Sequence, residues 1–178
     1  SRYLTHIRRL REPHDPARLL LARARGLGDK LGPVLLQLPP TLRAVPERLD
    51  AVLALFPPTW RVAVEFRHSS WFTNETRALL ERRGAALCLA DRVGPVAPLW
   101  RTTDWTYLRL HAGRARPQPC YGRVALSSWV ARLAAQWSPR EDIYVYFNND
   151  PRACALRDAI VFAGLCWRAG FEPTRVPS

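Results

Sequence analysis

The stretch Val-Ala-Val-Glu-Phe-Arg at residues 62–67 decides the fold of this chain. In an extended strand, side chains alternate between two faces, so the two valines and the phenylalanine share one face. The opposite face begins with Ala63 and ends with Glu65 and Arg67. A strand is therefore predicted at residues 62–66, apolar on one side, with the other side polar only towards the carboxyl end, where Arg67 follows.

Four further runs have the length and composition of strands. They cover residues 34–38, 86–90, 107–110 and 143–147. The same alternation places polar side chains near the carboxyl end of each run, on the face that carries Glu65. These residues are Gln37, Asp91, Arg109, His111 and Asn148.

Segments with helical spacing separate the strands. One follows Pro46, and another follows Ser127 and Ser128, which are expected to cap it. Residues 77–83 and 152–168 are predicted as further helices, the second apolar enough to be well buried. The loop at 112–121, rich in Gly, Pro and Arg, is predicted to join a strand to a helix.

Alternating strands and helices predict parallel strands joined by right-handed crossovers. Because one face is apolar throughout and the other turns polar at one end, we predict a TIM-type (β/α) barrel within the α/β class rather than a doubly wound sheet. Residues 1–178 are interpreted as a single domain with about five of the eight βα units of such a barrel.

The formal net charge is +12, and Lys30 is the only lysine. An arginine excess favours polyanionic partners, whereas GC-rich coding explains the choice of arginine over lysine without any partner. No apolar run reaches the roughly 18 residues that a membrane-spanning helix needs, so we expect no membrane partner and a cytoplasmic location. The four cysteines are far apart and lie mostly in apolar runs, which predicts reduced, structural thiols.

Nearly the whole chain resembles the YecE-like family, also known as domain of unknown function family 72. The resemblance is carried by the motifs SRYLTH (1–6), KLGPVLLQLPP (30–40), VEFRH (64–68) with Trp71, AD (90–91), LRLH (108–111) and YFNND (146–150). It implies a TIM-like barrel whose members begin with roughly three more βα units, so the N-terminal portion of the family domain is expected to be absent. Asp158 and Ala159 replace the usual Asn-Ala pair, which implies a local change near the start of the last helix.

The candidate catalytic residues are Glu65, Asp91 and His111, which are able to transfer a proton or activate water. Each also has a structural interpretation: Glu65 as an ion pair with Arg67, Asp91 as a cap, and His111 as a hydrogen-bonded core residue. The candidate ligand-binding residues are Arg2, Tyr3, His6, Gln37, Arg67, His68, Trp71, Arg109, Asn148, Asn149 and Asp150. Trp71 is a candidate platform for stacking a base or sugar. Asp150 is also explained by turn formation and by capping of the helix predicted from Arg152.

Two functions follow as hypotheses. In the first, arginines bind a phosphate-bearing small molecule or nucleic acid and the carboxylates or His111 support hydrolysis, nuclease-like by analogy of fold only. In the second, the protein is a non-catalytic barrel that binds nucleic acid or another anion. A third interpretation is that the polar residues only hold the strand ends together. A divalent metal is compatible with this chemistry, but no spacing motif identifies its ligands, and the oligomeric state stays open.

Overall fold

The computed structural model describes residues 2–92 and 97–176. Its helices and strands within these ranges are α1 (His14–Arg25), β1 (Val34–Gln37), α2 (Pro46–Leu53), β2 (Val62–Glu65), α3 (Asn74–Arg83), β3 (Ala85–Asp91), β4 (Thr106–Leu110), α4 (Arg123–Ala134), β5 (Ile143–Phe147) and α5 (Cys154–Arg168). The five predicted strands are confirmed, with ends that move by one residue at most. The predicted α/β fold with parallel strands is confirmed as well.

The chain forms two compact units. The first contains residues 2–88 and Ala97–Thr103, and the second contains residues 89–92 and 104–176. The strand β3 contributes its first four residues to the first unit and its last three to the second.

In the first unit, β2 pairs in parallel with β1 on one side and with β3 on the other. All four residues of β2 are buried, which is expected for a central parallel strand. The helix α2 begins at Pro46, whose fixed φ suits a first turn. The next helix, α3, is capped by Thr73, whose Oγ1 accepts a hydrogen bond from the amide of Thr76 at 3.2 Å.

In the second unit, the strand order is β3, β4, β5, and β4 pairs with β5 in parallel from Thr106 opposite Ile143 to Leu110 opposite Phe147. The helices α4 and α5 pack against each other. The long loop that was predicted at 112–121 is confirmed, because α4 begins only at Arg123. The side chains of β5 are only partly buried.

Three predictions about helices need correction. Ser127 and Ser128 do not cap α4, because they lie inside it. The helix α5 is not well buried, since Leu156, Ile160 and Trp167 are exposed along one side. The helix α1 was not predicted, because its sequence is rich in arginine and buries little beyond Pro16 and Ala17.

The prediction of four reduced thiols is wrong for one pair. Cys120 and Cys154 form a disulfide, whereas Cys88 is a buried free thiol and Cys166 a partly buried one. Burial raises the pKa of Cys166 to about 11. Sequence spacing missed the disulfide because its partners lie 34 residues apart and meet only when the loop before α4 packs against the start of α5.

None of the helices in the two described ranges has the length and apolar character that crossing a membrane requires.

Candidate functional site

Glu65 is the central polar residue of the first unit. It ends β2 and its side chain is fully buried. The amide nitrogen of Gln37, at the end of the neighbouring β1, donates to both carboxylate oxygens at 3.1 and 3.0 Å. Nε of Arg67 donates to Oε1 at 2.9 Å. The carboxylate of Glu65 thus accepts three hydrogen bonds, one of them from a cation, at a fully buried position.

Arg67 carries the exposed end of this arrangement. Its side chain is 28% exposed, and Nε is the atom used for Glu65. The two terminal nitrogens of the guanidinium have no hydrogen bond to any described residue. The buried carboxylate of Glu65 therefore orients the guanidinium of Arg67 through Nε. The two terminal nitrogens stay available as hydrogen-bond donors.

Arg2 adds to the positive charge around Arg67, and His6 lies close enough to feel both cations. His6 lies in a single turn of π-helix, Tyr3–Ile7, and its Nδ1 is hydrogen bonded to Oγ1 of Thr5 at 2.9 Å. Burial lowers the pKa of His6, and the charges of Arg2 and Arg67 lower it further. His6 is thus a neutral imidazole near pH 7. We call Gln37, Glu65, Arg67, His6 and Arg2 the Arg67 cluster.

Three other candidates in the first unit have different surroundings. Tyr3 is 44% exposed. His68 caps the 3₁₀ turn Ser69–Trp71, because its Nδ1 accepts from the amide of Ser70 at 3.1 Å. Trp71 is fully buried, stacks on Phe66 with ring centroids 4.9 Å apart, and donates its indole hydrogen to the carbonyl of Leu42. The prediction of Trp71 as a stacking platform for a ligand is therefore wrong.

In the second unit, Arg109 and Asn148 come together at the carboxyl ends of β4 and β5. Nε of Arg109 donates to Oδ1 of Asn148 at 3.0 Å, and Asn148 is exposed. Parallel pairing explains the contact, since the register sets Arg109 opposite Tyr146, two residues before Asn148. As predicted, the side chains of alternate residues meet at the strand ends.

Asp91 and His111 lie close by in the same unit. The amide of His111 donates to the carbonyl of Asp91 at 2.9 Å, and Nε2 of the imidazole is buried. Oδ2 of Asp91 accepts a hydrogen bond from the indole of Trp129 at 2.7 Å.

The hydroxyl of Tyr121, close to Asp91, accepts a hydrogen bond from the amide of Ala112. Burial and the charge of Asp91 both raise the pKa of Tyr121, so its phenol stays protonated. We call Asp91, Arg109, His111 and Asn148 the Arg109 cluster.

Asn149 and Asp150 differ from Asn148. Asn149 is fully buried, and its Nδ2 donates to the carbonyl of Pro119 at 3.1 Å and to Oδ2 of Asp158 at 2.7 Å. It holds the loop and cannot reach an external ligand, which corrects its assignment as a binding residue. Asp150 is exposed at the start of the turn Pro151–Ala153, as its turn interpretation predicted, but its side chain makes no capping hydrogen bond.

Sequence reasoning missed Trp129, Tyr121 and Asp158 as neighbours of the candidate residues. All three reach the strand ends from a helix or loop, where strand periodicity gives no signal. Oδ2 of Asp158, which stands in place of the expected Asn, accepts from the amide of Tyr121 at 2.8 Å as well as from Asn149. Among residues 2–92 and 97–176, no three His, Cys, Asp or Glu side chains are grouped so that they could hold a metal ion.

Comparison with known proteins places the chain among uncharacterised relatives. The family described as "Protein of unknown function DUF72" matches residues 1–176. A DUF72 family protein from Thermotoga maritima MSB8 has a similar structure, with a TM-score of 0.79 at 23% identity, covering 94% of this chain and 71% of that one. A DUF72 family protein from Enterococcus faecalis V583 gives 0.70 at 17%, covering 84% and 67%. No curated protein matches the chain. At these identities the likeness concerns the fold.

Proposed function

We propose that this chain, which belongs to the DUF72 family, binds a phosphate-bearing ligand at the Arg67 cluster. The observation that carries the proposal is the state of Arg67: its Nε is bound to a fully buried carboxylate, while its outer nitrogens have no described partner. A guanidinium held in this way presents two parallel donors, which is the geometry that phosphate oxygens accept.

The charges around Arg67 support an anion rather than a neutral ligand. Burial lowers the pKa of His6, and the positive charges of Arg2 and Arg67 lower it further, so two cations act at this position. The single buried carboxylate of the cluster is already occupied by Gln37 and Arg67. An incoming phosphate would therefore meet cations and a neutral imidazole.

Glu65 supports this site as a positioning residue. A general base must reach the proton that it takes, whereas Glu65 is fully buried and its oxygens accept three hydrogen bonds.

Hydrolysis of the bound phosphate ester is a second proposal, and His6 is the better proton acceptor for it because its lowered pKa keeps the imidazole neutral. Nucleic acid is a polymer that carries phosphate groups, and the net charge of +12 favours it as a ligand.

We also propose that the parallel strands belong to a TIM-type barrel. The supporting observations are the α/β order of elements and the polar residues at the carboxyl ends of β1, β2, β4 and β5. In such barrels the ends of the strands carry the functional residues.

Calorimetric titration with inorganic pyrophosphate tests the binding proposal. We expect Arg67→Gln to weaken binding about tenfold or more, the loss of a charge-assisted contact. Arg82→Gln, which removes an exposed cation from α3, should leave binding unchanged. Equal affinities for wild type and Arg67→Gln would refute the proposal. If Arg67→Gln lowered only stability, the interpretation of the cluster as purely structural would stand instead.

A second experiment separates nucleic acid from small phosphates. Affinity for a single-stranded oligothymidylate should fall steeply with salt and should depend on Arg67. Turnover of a generic phosphodiester by wild type and its loss in His6→Asn would support hydrolysis. Binding without turnover would support the non-catalytic alternative.

A further inference from the structure

A second arginine-lined feature lies in the second unit, where the loop before α4 faces the turn that precedes α5. Arg116, Pro117, Gln118 and Arg152 line an open cleft there of about 620 Å³. Both arginines are exposed, and neither has a hydrogen bond, ion pair or ring contact with any residue that the structure describes. Two guanidinium groups thus share one cleft without a carboxylate to neutralise them.

The backbone at Arg152 is unusual. Arg152 has a φ of 62° and the next residue, Ala153, has a φ of 55°. Residues with a Cβ rarely adopt this left-handed conformation, whereas glycine adopts it readily. The turn alone would accept glycine at both positions, so the presence of a long cationic side chain at 152 points to a use for that side chain.

Both sides of the cleft are held in place. The disulfide between Cys120 and Cys154 joins the loop that carries Arg116 to the helix that follows Arg152. The buried amide of Asn149 adds a hydrogen bond to the carbonyl of Pro119 at 3.1 Å. Because these links fix the backbone on either side, the two arginines start from a constrained separation, which lowers the entropic cost of closing on a shared ligand.

From these observations we propose that the Arg116–Arg152 cleft is a second phosphate-binding site. Its volume is that of sites for small ligands, which run from about 300 to 1,000 Å³. Paired guanidinium groups favour the planar, bidentate contacts that phosphate oxygens provide. The nearest carboxylate in sequence, Asp150, makes no ion pair with either arginine. The site shares no residue with the Arg67 cluster, so the two proposals stand or fall separately.

Pyrophosphate binding to the full chain tests the proposal, measured in an Arg67→Gln background so that the contribution of the Arg67 cluster is reduced. We expect Arg116→Gln and Arg152→Gly each to weaken binding about tenfold. Glycine is chosen at 152 because it suits the backbone there, so the fold is kept while the guanidinium is lost.

Two control variants separate the side chain from its surroundings. Ala153→Gly introduces glycine at the adjacent left-handed position, which changes backbone freedom in the same way without removing a cation. Arg140→Gln removes an exposed cation from the turn before β5. Both should bind pyrophosphate as the background protein does. If Arg116→Gln and Arg152→Gly also bound like the background protein, the cleft would not be a site for free phosphates.

The same measurement with an oligothymidylate as the probe distinguishes a site for free phosphate from a site for the phosphates of a nucleic-acid backbone. Loss of affinity for both probes would assign the cleft to phosphate groups in general. Loss for the oligonucleotide alone would assign it to a polymer. Unchanged affinity for both probes in both variants would overturn the proposal.

Discussion

Arg67 and Arg109 lie at the carboxyl ends of parallel strands, but they are held by different partners. Nε of Arg67 donates to the carboxylate of Glu65, which is fully buried, whereas Nε of Arg109 donates to the amide oxygen of Asn148, which is exposed. A guanidinium paired with a carboxylate away from water is held more strongly than one that donates to a neutral amide at the surface. Similar positions in two strands therefore give two arginines whose acceptors differ in charge and in burial.

The second unit gains rigidity from its loop. The segment between β4 and α4 is joined to α5 by the disulfide and by the hydrogen bonds of Asp158. Gly113 adds a tight contact, because a Cβ there would lie 2.1 Å from the carbonyl oxygen of Cys120. The first unit thus organises its polar residues around a buried carboxylate, and the second around a covalently closed loop.

The largest expected effect is that of opening the disulfide. Linking residues 34 positions apart restricts the unfolded chain, and its loss should lower the free energy of unfolding by about 3–4 kcal/mol. Urea unfolding with and without dithiothreitol measures the difference. The control is Cys120→Ala/Cys154→Ala, which should match the reduced protein and should not respond to the reductant. A wild-type midpoint that reductant does not change would show that the loop is held by its hydrogen bonds alone.

The next largest effect concerns Glu65, the buried carboxylate of the first unit. Glu65→Ala removes the partner of a partly buried cation and opens a cavity, so we expect a loss of about 3 kcal/mol in the free energy of unfolding. Asp50→Ala is the matched control, because Asp50 also pairs with an arginine, Arg83, but at the surface. Its loss should be much smaller. Similar losses for the two variants would mean that burial does not set the strength of the Arg67 anchor.

The sequence predicted the residues that strands position and missed those that come from loops. Alternation along β2 and β4 was enough to place Glu65, Arg67 and Arg109 on one face, because a two-residue period fixes the side of a strand. It could not show that Trp71 is buried or that Cys120 meets Cys154, since both depend on how a loop folds back. Composition also favoured a buried α5, although residues that pack against it decide which side is covered.

A smaller effect is expected at Asn148. Asn148→Ala removes the exposed, neutral amide that accepts one hydrogen bond from Arg109, so the free energy of unfolding should fall by less than about 1 kcal/mol. Gln37→Ala, the matched change in the first unit, removes two hydrogen bonds to a buried carboxylate and should cost more. Thermal unfolding of both variants checks the order. A larger loss for Asn148→Ala would reverse the comparison.

The smallest effect is a shift in the titration of His6. Because burial and the charges of Arg2 and Arg67 lower its pKa, the unfolded chain binds more protons than the folded one between that lowered pKa and the ordinary value of about 6.5. The contribution of His6 to stability is thus fully present above about pH 6.5 and is lost as the pH falls through the lowered pKa. NMR titration of the imidazole, assigned with His6→Asn, measures the midpoint directly. Arg67→Gln should raise the measured pKa of His6, and Arg82→Gln should leave it unchanged. Pyrophosphate bound at the Arg67 cluster should also raise this pKa in the wild type, since an anion stabilises the imidazolium. A midpoint that ignores both Arg67→Gln and pyrophosphate would show that burial alone sets the pKa and that no anion binds beside His6.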